Sequence, residues 1–449
     1  MNIIVIVADS LRADHLGCYG SSVKTPNIDA FAADAALFEE AYSENLPTMP
    51  TRTAWWTGHY LFPTRKWQPL ELSDKLLAEV LWNRGFTSAF VTDVYHMHKP
   101  SYNCGRGFDY VSFLRGQEYD PWIVDASIEV DLSLRHRLRG DESDRHWRPN
   151  FEQYLRNTAG FRSEEDYFAP RVVSEAIRWL DHATRKQKDN LFMWVDCFDP
   201  HEPWDPPDPW RRMYDPGYRG QELIDPVPGL VEGYMTHDEL AHTLALYAGE
   251  VSFVDKWVGV LLDRIRELGL YDNSLIMFTS DHGEPFGEHG IVRKAALHGY
   301  EELCRIPWVI RYPSAGRGRR FDALVQTPDL MPTVLDAAGV ATDLSFTGTS
   351  LIPILSGTQP AVRDFAVSSW QGVSWTIRTA EWTYSMLVEG GQSEFCNRFL
   401  PDHPHRELYN RRTDRAEQHN VIEQNASVAD ELELKLRRFA AEVQARNRA

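Results

Sequence analysis

The chain has 449 residues, of which 43% are hydrophobic and 25% charged, enough for one large globular domain with a substantial core and a smaller second part. Its 47 basic and 65 acidic residues give a net charge of −18, which excludes nucleic-acid or membrane-surface binding driven by bulk charge and obliges any anionic ligand to find a locally positive site. Five scattered cysteines (Cys18, Cys104, Cys197, Cys304 and Cys396) show no metal-type pairing and imply a reducing compartment without a disulfide framework. The first residues lack a basic leader, and no segment reaches the roughly 18–20 apolar residues of a membrane span, so a soluble, cytoplasmic protein without a membrane partner is expected.

Asn2–Ala8 is an apolar, β-branched run that reads as a buried parallel strand. It ends on Asp9, a position suited to a metal or to a plain turn residue, because ligands of open α/β sheets bind beyond the carboxyl ends of strands. Thr25–Asp29 has the form of a helix start, with a helical face from Ile28 to Phe38. In Leu46–Gly58, Pro50 suits a first helical turn and Gly58 the position past the helix end. Thr48 then sits at the helix mouth beside unpaired N–H groups, either as a cap or as part of an anion site, with Arg52 one turn further on.

Leu76–Arg84 and Val172–Arg185 read as helices, and Thr87–Thr92 and Asn190–Asp196 as strands. The helix Glu239–Leu268 and the strand Ser274–Ser280 continue the alternation, which predicts a large, mostly parallel sheet sandwiched by helices. The long segments Tyr95–Phe168 and Asp199–Pro228 are too long for idle loops and are expected to form a cap or pocket wall. His201 follows one strand, and Asp281 and His282 follow another, at the same sheet end as Asp9. Adjacent Asp and His can supply an oxygen and a nitrogen to one cation. Arg293, Lys294 and His298 add basic and titratable groups. Gly348–Gly357 marks a boundary between a larger α/β domain, residues 1–347, and an α+β subdomain, residues 348–449. The latter carries strand candidates Phe365–Ser369, Trp375–Thr379 and Thr383–Leu387 and an amphipathic helix Val428–Arg446.

These patterns, in this order, resemble the sulfatase family of the alkaline-phosphatase superfamily over nearly the whole chain. Thr48-x-Pro50-x-Arg52 with Thr57-Gly58 is similar to the family's Cys/Ser-x-Pro-x-Arg signature, and His201 falls in its Pro-His-x-Pro segment. Asp281-His282-Gly-Glu, Gly287–Gly290 and Lys294 resemble its second metal and substrate-lysine segment. Gly348–Gly357, Glu407–Tyr409 and Asp414–Asn420 resemble its C-terminal subdomain. The resemblance implies one divalent cation held by Asp9, Asp281, His282 and the oxygen of Thr48. It also implies that Arg52, His201 and Lys294 hold the charged oxygens of a small anionic ester.

Two departures bear on the chemistry. Threonine replaces the Cys or Ser that sulfatases convert to formylglycine, so no formylglycine is expected; threonine is the nucleophile of phosphorus-directed members of the superfamily. Ser10 follows Asp9 where sulfatases usually show a second acid, leaving a ligand set that suits Mn and also accepts Zn, Mg or Ca. The expectation is a metal-dependent hydrolase of phosphodiesters or phosphonate monoesters with Thr48 as nucleophile and His201 or His298 as proton donor. The alternatives are a sulfuric ester hydrolase and a catalytically silent anion-binding protein. The sequence does not yield the oligomeric state.

Overall fold

The computed structural model describes residues 1–294, 298–388 and 403–448; Cys396 lies outside them. Fourteen strands occur among the described residues. In chain order they are β1 (Asn2–Ala8), β2 (Ala36–Tyr42), β3 (Thr87–Thr92), β4 (Tyr110–Phe113), β5 (Leu191–Cys197), β6 (Gly229–Leu230) and β7 (Ser274–Thr279). There follow β8 (Ile291–Val292), β9 (Trp308–Arg311), β10 (Arg319–Gln326), β11 (Ala366–Trp370), β12 (Ser374–Arg378), β13 (Trp382–Leu387) and β14 (Arg406–Asn410).

Eight of them form one sheet in the order β10-β2-β9-β7-β1-β5-β3-β4. Only β9 runs against its neighbours, β2 and β7; every other pairing is parallel. The central strands are buried on both faces, which is why they read as continuous apolar runs. In β1, Ile4, Ile6 and Ala8 face a core shared with helices Phe168–Ala183 and His237–Glu267. Ile3, Val5 and Val7 face a second core shared with helices Thr48–Thr57, Leu77–Trp82 and Leu330–Ala337. β1, β3, β5 and β7 are mutually parallel, so Asp9, Asp93, Asp196 and Asp281 gather at one edge of the sheet.

The C-terminal part is an antiparallel meander, β11-β12-β13-β14. The terminal helix Ala426–Arg448 covers it with Ala429, Leu432, Leu436, Ala440 and Val443, spaced three and four apart. Four cysteines, Cys18, Cys104, Cys197 and Cys304, are free thiols. No helix among the described residues is long and apolar enough to cross a membrane.

One reading of the sequence is corrected. The helix expected to continue through Phe38 stops at Ala33, and Ala36–Tyr42 is instead β2, held between β9 and β10. Tertiary pairing overrides the helical face read from Ile28 to Phe38. The segment Tyr95–Phe168 is more than a cover: Tyr110–Phe113 adds an edge strand beside β3, and Asp144–Thr158 is a helix.

Candidate active site

Arg52 is the hub. Fully buried, it projects from helix Thr48–Thr57 into the ring of acids at the carboxyl edge of the sheet. Its Nε and one Nη donate to Asp196 at 2.9 and 2.6 Å, and that Nη donates to Asp9 at 2.9 Å. The other Nη donates to Asp281 at 2.6 Å and to the Thr48 carbonyl at 3.2 Å. All five guanidinium protons are thereby used. Three buried carboxylates face this one cation, leaving an excess of negative charge in a buried site. Burial and the nearby Asp281 push Asp9 well above the ordinary carboxylate range. Burial works against Asp281 too, but His282 and Arg52 hold it low.

His282 completes a set of three. Its Nδ1–H donates to the Gly283 carbonyl at 2.8 Å, a bond that fixes the tautomer and leaves Nε2 a lone pair. Nε2 is buried without a hydrogen-bond partner, 3.9 Å from Asp9 and 3.5 Å from Asp281. Ligand atoms of Asp9, Asp281 and His282 all lie within 4.8 Å of one another. An orphaned nitrogen, two carboxylates and surplus negative charge fit a divalent cation. Gly283 is required by close approach, since a Cβ there would stand 2.0 Å from the Glu302 carbonyl oxygen.

Thr48 is the first residue of its helix, 2% exposed, with φ +27°. A positive φ is costly for a β-branched residue and marks a position held by its surroundings. Its hydroxyl has no hydrogen-bond partner among the described residues and lines a cavity of about 370 Å³. His201 and Lys294 line the same cavity, with Trp67, Trp147 and Trp370 as apolar walls. Lys294 Nζ bridges Glu202 at 2.6 Å and Glu284 at 2.7 Å. Burial disfavours its charge, but these two glutamates hold it protonated. His201 stacks on Phe198 with ring centroids 3.9 Å apart and donates Nδ1–H to its neighbour's carbonyl, Glu202, at 2.7 Å. Burial drives its pKa well down, so the ring is neutral with a lone pair at Nε2.

Residues 1–340 match the sulfatase family, and residues 287–442 match the C-terminal family of N-sulphoglucosamine sulphohydrolase. The chain belongs to the sulfatase family. It is an ester-bond hydrolase. Among its relatives, an arylsulfatase of Clostridium perfringens is 27% identical over 413 residues, covering 81% of this chain and 80% of that one. A multifunctional alkaline phosphatase superfamily protein of Trinickia caryophylli is 24% identical, covering 80% and 78%. The phosphonate monoester hydrolase of Agrobacterium radiobacter shares the fold, with a TM-score of 0.75 at 23% identity over 98% of this chain and 96% of that one.

In this sulfatase-family enzyme, two residues expected at the substrate are placed otherwise. Arg52, read as a substrate clamp, has no donor left for a substrate oxygen; it ties the metal-side carboxylates together. His298, read as a catalytic group, is not in the cavity wall. Its Nε2 lies 3.1 Å from the Pro404 carbonyl and 3.6 Å from Glu407, with His403 beside it. Asp9, Thr48, His201, Asp281, His282 and Lys294 are brought to one edge of the sheet. The sequence reading missed Asp196, Glu202, Glu284, His96 and Glu118. Asp196 ends a strand as Asp9 does, so the same rule pointed to it. Glu284 lies in the Asp-His-Gly-Glu run, whereas nothing local marks His96 or Glu118.

Proposed function

We propose that the enzyme hydrolyses phosphate-type esters, phosphodiesters or phosphonate monoesters, with Thr48 as nucleophile and one divalent cation, for which Mn is the best match. The observation that carries this reading is Thr48, held in a strained conformation on the cavity wall and joined through Arg52 to the Asp9–Asp281–His282 set. Asp9, Asp281, His282 and Thr48 Oγ would hold the cation, which when bound lowers the pKa of a coordinated hydroxyl and offsets charge on nonbridging oxygens. Oxygen-rich ligation with a single imidazole suits Mn and admits Zn, Mg or Ca.

The protein's own part is positioning and charge. Thr48 Oγ attacks phosphorus while the Nε2 lone pair of His201 takes the hydroxyl proton. The ammonium of Lys294, held on Glu202 and Glu284, stabilises the nonbridging oxygens as charge develops. Arg52 keeps Asp9, Asp196 and Asp281 in register without touching substrate. Water then resolves the phospho-threonine. Threonine also argues against formylglycine chemistry, since oxidising its Cβ yields a ketone rather than an aldehyde. The cavity volume of about 370 Å³ matches a small anionic ester and not a polymer surface.

Sulfate-ester hydrolysis is the second reading, favoured by relatives such as the Clostridium arylsulfatase. A panel of aryl phosphodiesters, phosphonate monoesters and aryl sulfates, assayed with Mn supplied, separates the two. Thr48→Ala is expected to lose several orders of magnitude in kcat on the preferred class. Turnover by Thr48→Ala equal to the wild type would remove Thr48 as nucleophile, and a wild-type preference for aryl sulfates would move the enzyme to the second reading. A protein inert on all three classes and lacking stoichiometric metal would be a binding protein.

A further inference from the structure

The departing oxygen of an unactivated ester needs a proton, and neither histidine expected to give one is built for it. His201 is buried and neutral with its one N–H committed to the Glu202 carbonyl. His298 is engaged with the C-terminal part of the chain. The cavity wall offers another group. Glu118, which follows β4, lines the cavity with Thr48, His201 and Lys294. Its φ is +48°, a left-handed conformation that a glutamate keeps only when its surroundings impose it. Gln117 imposes it here: the Gln117 amide donates to Asp199 at 2.6 Å, and its side-chain oxygen accepts the Glu118 N–H at 3.2 Å. The Glu118 side chain is only 7% exposed, and its Oε2 is buried without a hydrogen-bond partner, 3.4 Å from His96 Nε2. His96 is fixed edge-on against Trp67, with ring centroids 5.0 Å apart, and lines the same cavity.

The charged and titratable groups around Glu118 come from several elements. His96 and Tyr95 follow β3, Tyr119 is its own neighbour, His146 lies on the helix Asp144–Thr158, Glu202 follows β5, Asp225 precedes β6, and Arg293 and Lys294 follow β8. Burial first, and repulsion from Glu202 second, push Glu118 up to about 8 against the opposing pull of Arg293, Lys294 and His146. Burial keeps His96 neutral, down to about 3. A buried carboxyl that stays protonated at neutral pH is a proton donor in waiting.

We propose that Glu118, positioned by Gln117 and His96, is the acid–base residue of the leaving-group side of the reaction. The proposal rests on Thr48 as nucleophile. As Thr48 Oγ bonds to phosphorus, the bond from phosphorus to the ester oxygen breaks. Its electron pair stays on that oxygen, which takes the Glu118 proton. The resulting carboxylate then takes a proton from the water that attacks phosphorus. The electron pair of the Thr48–phosphorus bond returns to Oγ with the proton held on His201. The enzyme ends as it began.

The test is Glu118→Gln assayed on a series of aryl esters of the preferred class, from nitrophenyl to unsubstituted and alkyl-substituted phenyl leaving groups. A denaturant midpoint and a Mn content equal to the wild type's show that the variant is folded; nitrophenyl esters leave without help, so their kcat/KM should fall least. On poor leaving groups the variant is expected to lose on the order of 10²–10⁴-fold in kcat/KM. The wild type should lose kcat/KM as pH rises through about 8, where Glu118 ionises, and Glu118→Gln should lack that basic limb. Glu118→Asp, which keeps an ionisable group, should retain it. A loss uniform across the series, or a basic limb unchanged in Glu118→Gln, overturns the assignment. If Thr48→Ala is silent throughout while Glu118→Gln shows that uniform loss, Thr48 stands and Glu118 falls. Wild-type turnover by Thr48→Ala means that the nucleophile reading itself has failed.

Discussion

Arg52 shows how a single side chain sets the electrostatics of the site. Removing one partner of a buried ionic cluster leaves the others uncompensated, at a cost of about 3–5 kcal/mol. Arg52→Ala would leave Asp9, Asp196 and Asp281 facing one another in a buried site. The expected result is a loss of about that size in unfolding free energy for the metal-free protein, read from its denaturant midpoint and slope. Part of it should return when Mn is added, because a divalent cation supplies the missing positive charge. An equal loss with and without Mn would show that Arg52 matters for packing alone. Lys294 is a different kind of cation: it is balanced by two glutamates yet lines the cavity, so it can face a substrate oxygen where Arg52 cannot.

At the scale of elements, the helix Thr48–Thr57 is fixed at both ends. Thr48 opens it in a strained conformation, and Gly58 closes it at φ +71° with its N–H on the Ala54 carbonyl. A Cβ at Gly58 would stand 2.7 Å from the Phe346 ring and 3.3 Å from Met331 and Pro332. Gly58→Ala should therefore cost about 1–2 kcal/mol for the left-handed backbone and about 1–3 kcal/mol more for overpacking, read as a lower urea midpoint at unchanged slope. A variant within about 0.5 kcal/mol of the wild type, the range of ordinary surface changes, would show that the helix end can shift. The elements that carry this site were legible in the sequence because they are strongly apolar: β1, β3, β5 and β7 lie within a residue or so of where their runs place them. Others were not. β9 has four residues, β4 is a half-buried edge, and β2 and β10 carry charged residues within their spans, so each needs its partner strands to be recognised. The metal-side residues follow from position at strand ends, a rule available from sequence. Glu118 and His96 reach the cavity from a long insertion, and their meeting is a tertiary fact with no local signal. His298 illustrates the converse, since four residues from Lys294 along the chain is no guide to what the ring touches.

For the whole molecule, the large sheet and the small antiparallel sheet do not make two independent halves. The segment that leads into Thr48 is docked on the small sheet. The Leu46 N–H donates to the Ser369 carbonyl at 2.8 Å, Leu46 bridges Trp370, and the Ser368 hydroxyl donates to the Ser43 carbonyl at 2.7 Å. Trp370, from β11, is itself part of the cavity wall. That one Leu46 bond makes the backbone ahead of the nucleophile a reporter of distant order. In native-state amide exchange the Leu46 proton should share the protection of β11 to β13, not that of the surface turns near it in sequence. Substitutions that loosen the packing of the terminal helix against Leu408 and Tyr384 should then quicken exchange at Leu46 in step with the small sheet. Exchange at Leu46 that stays slow while the small sheet opens would show the two halves breathing separately.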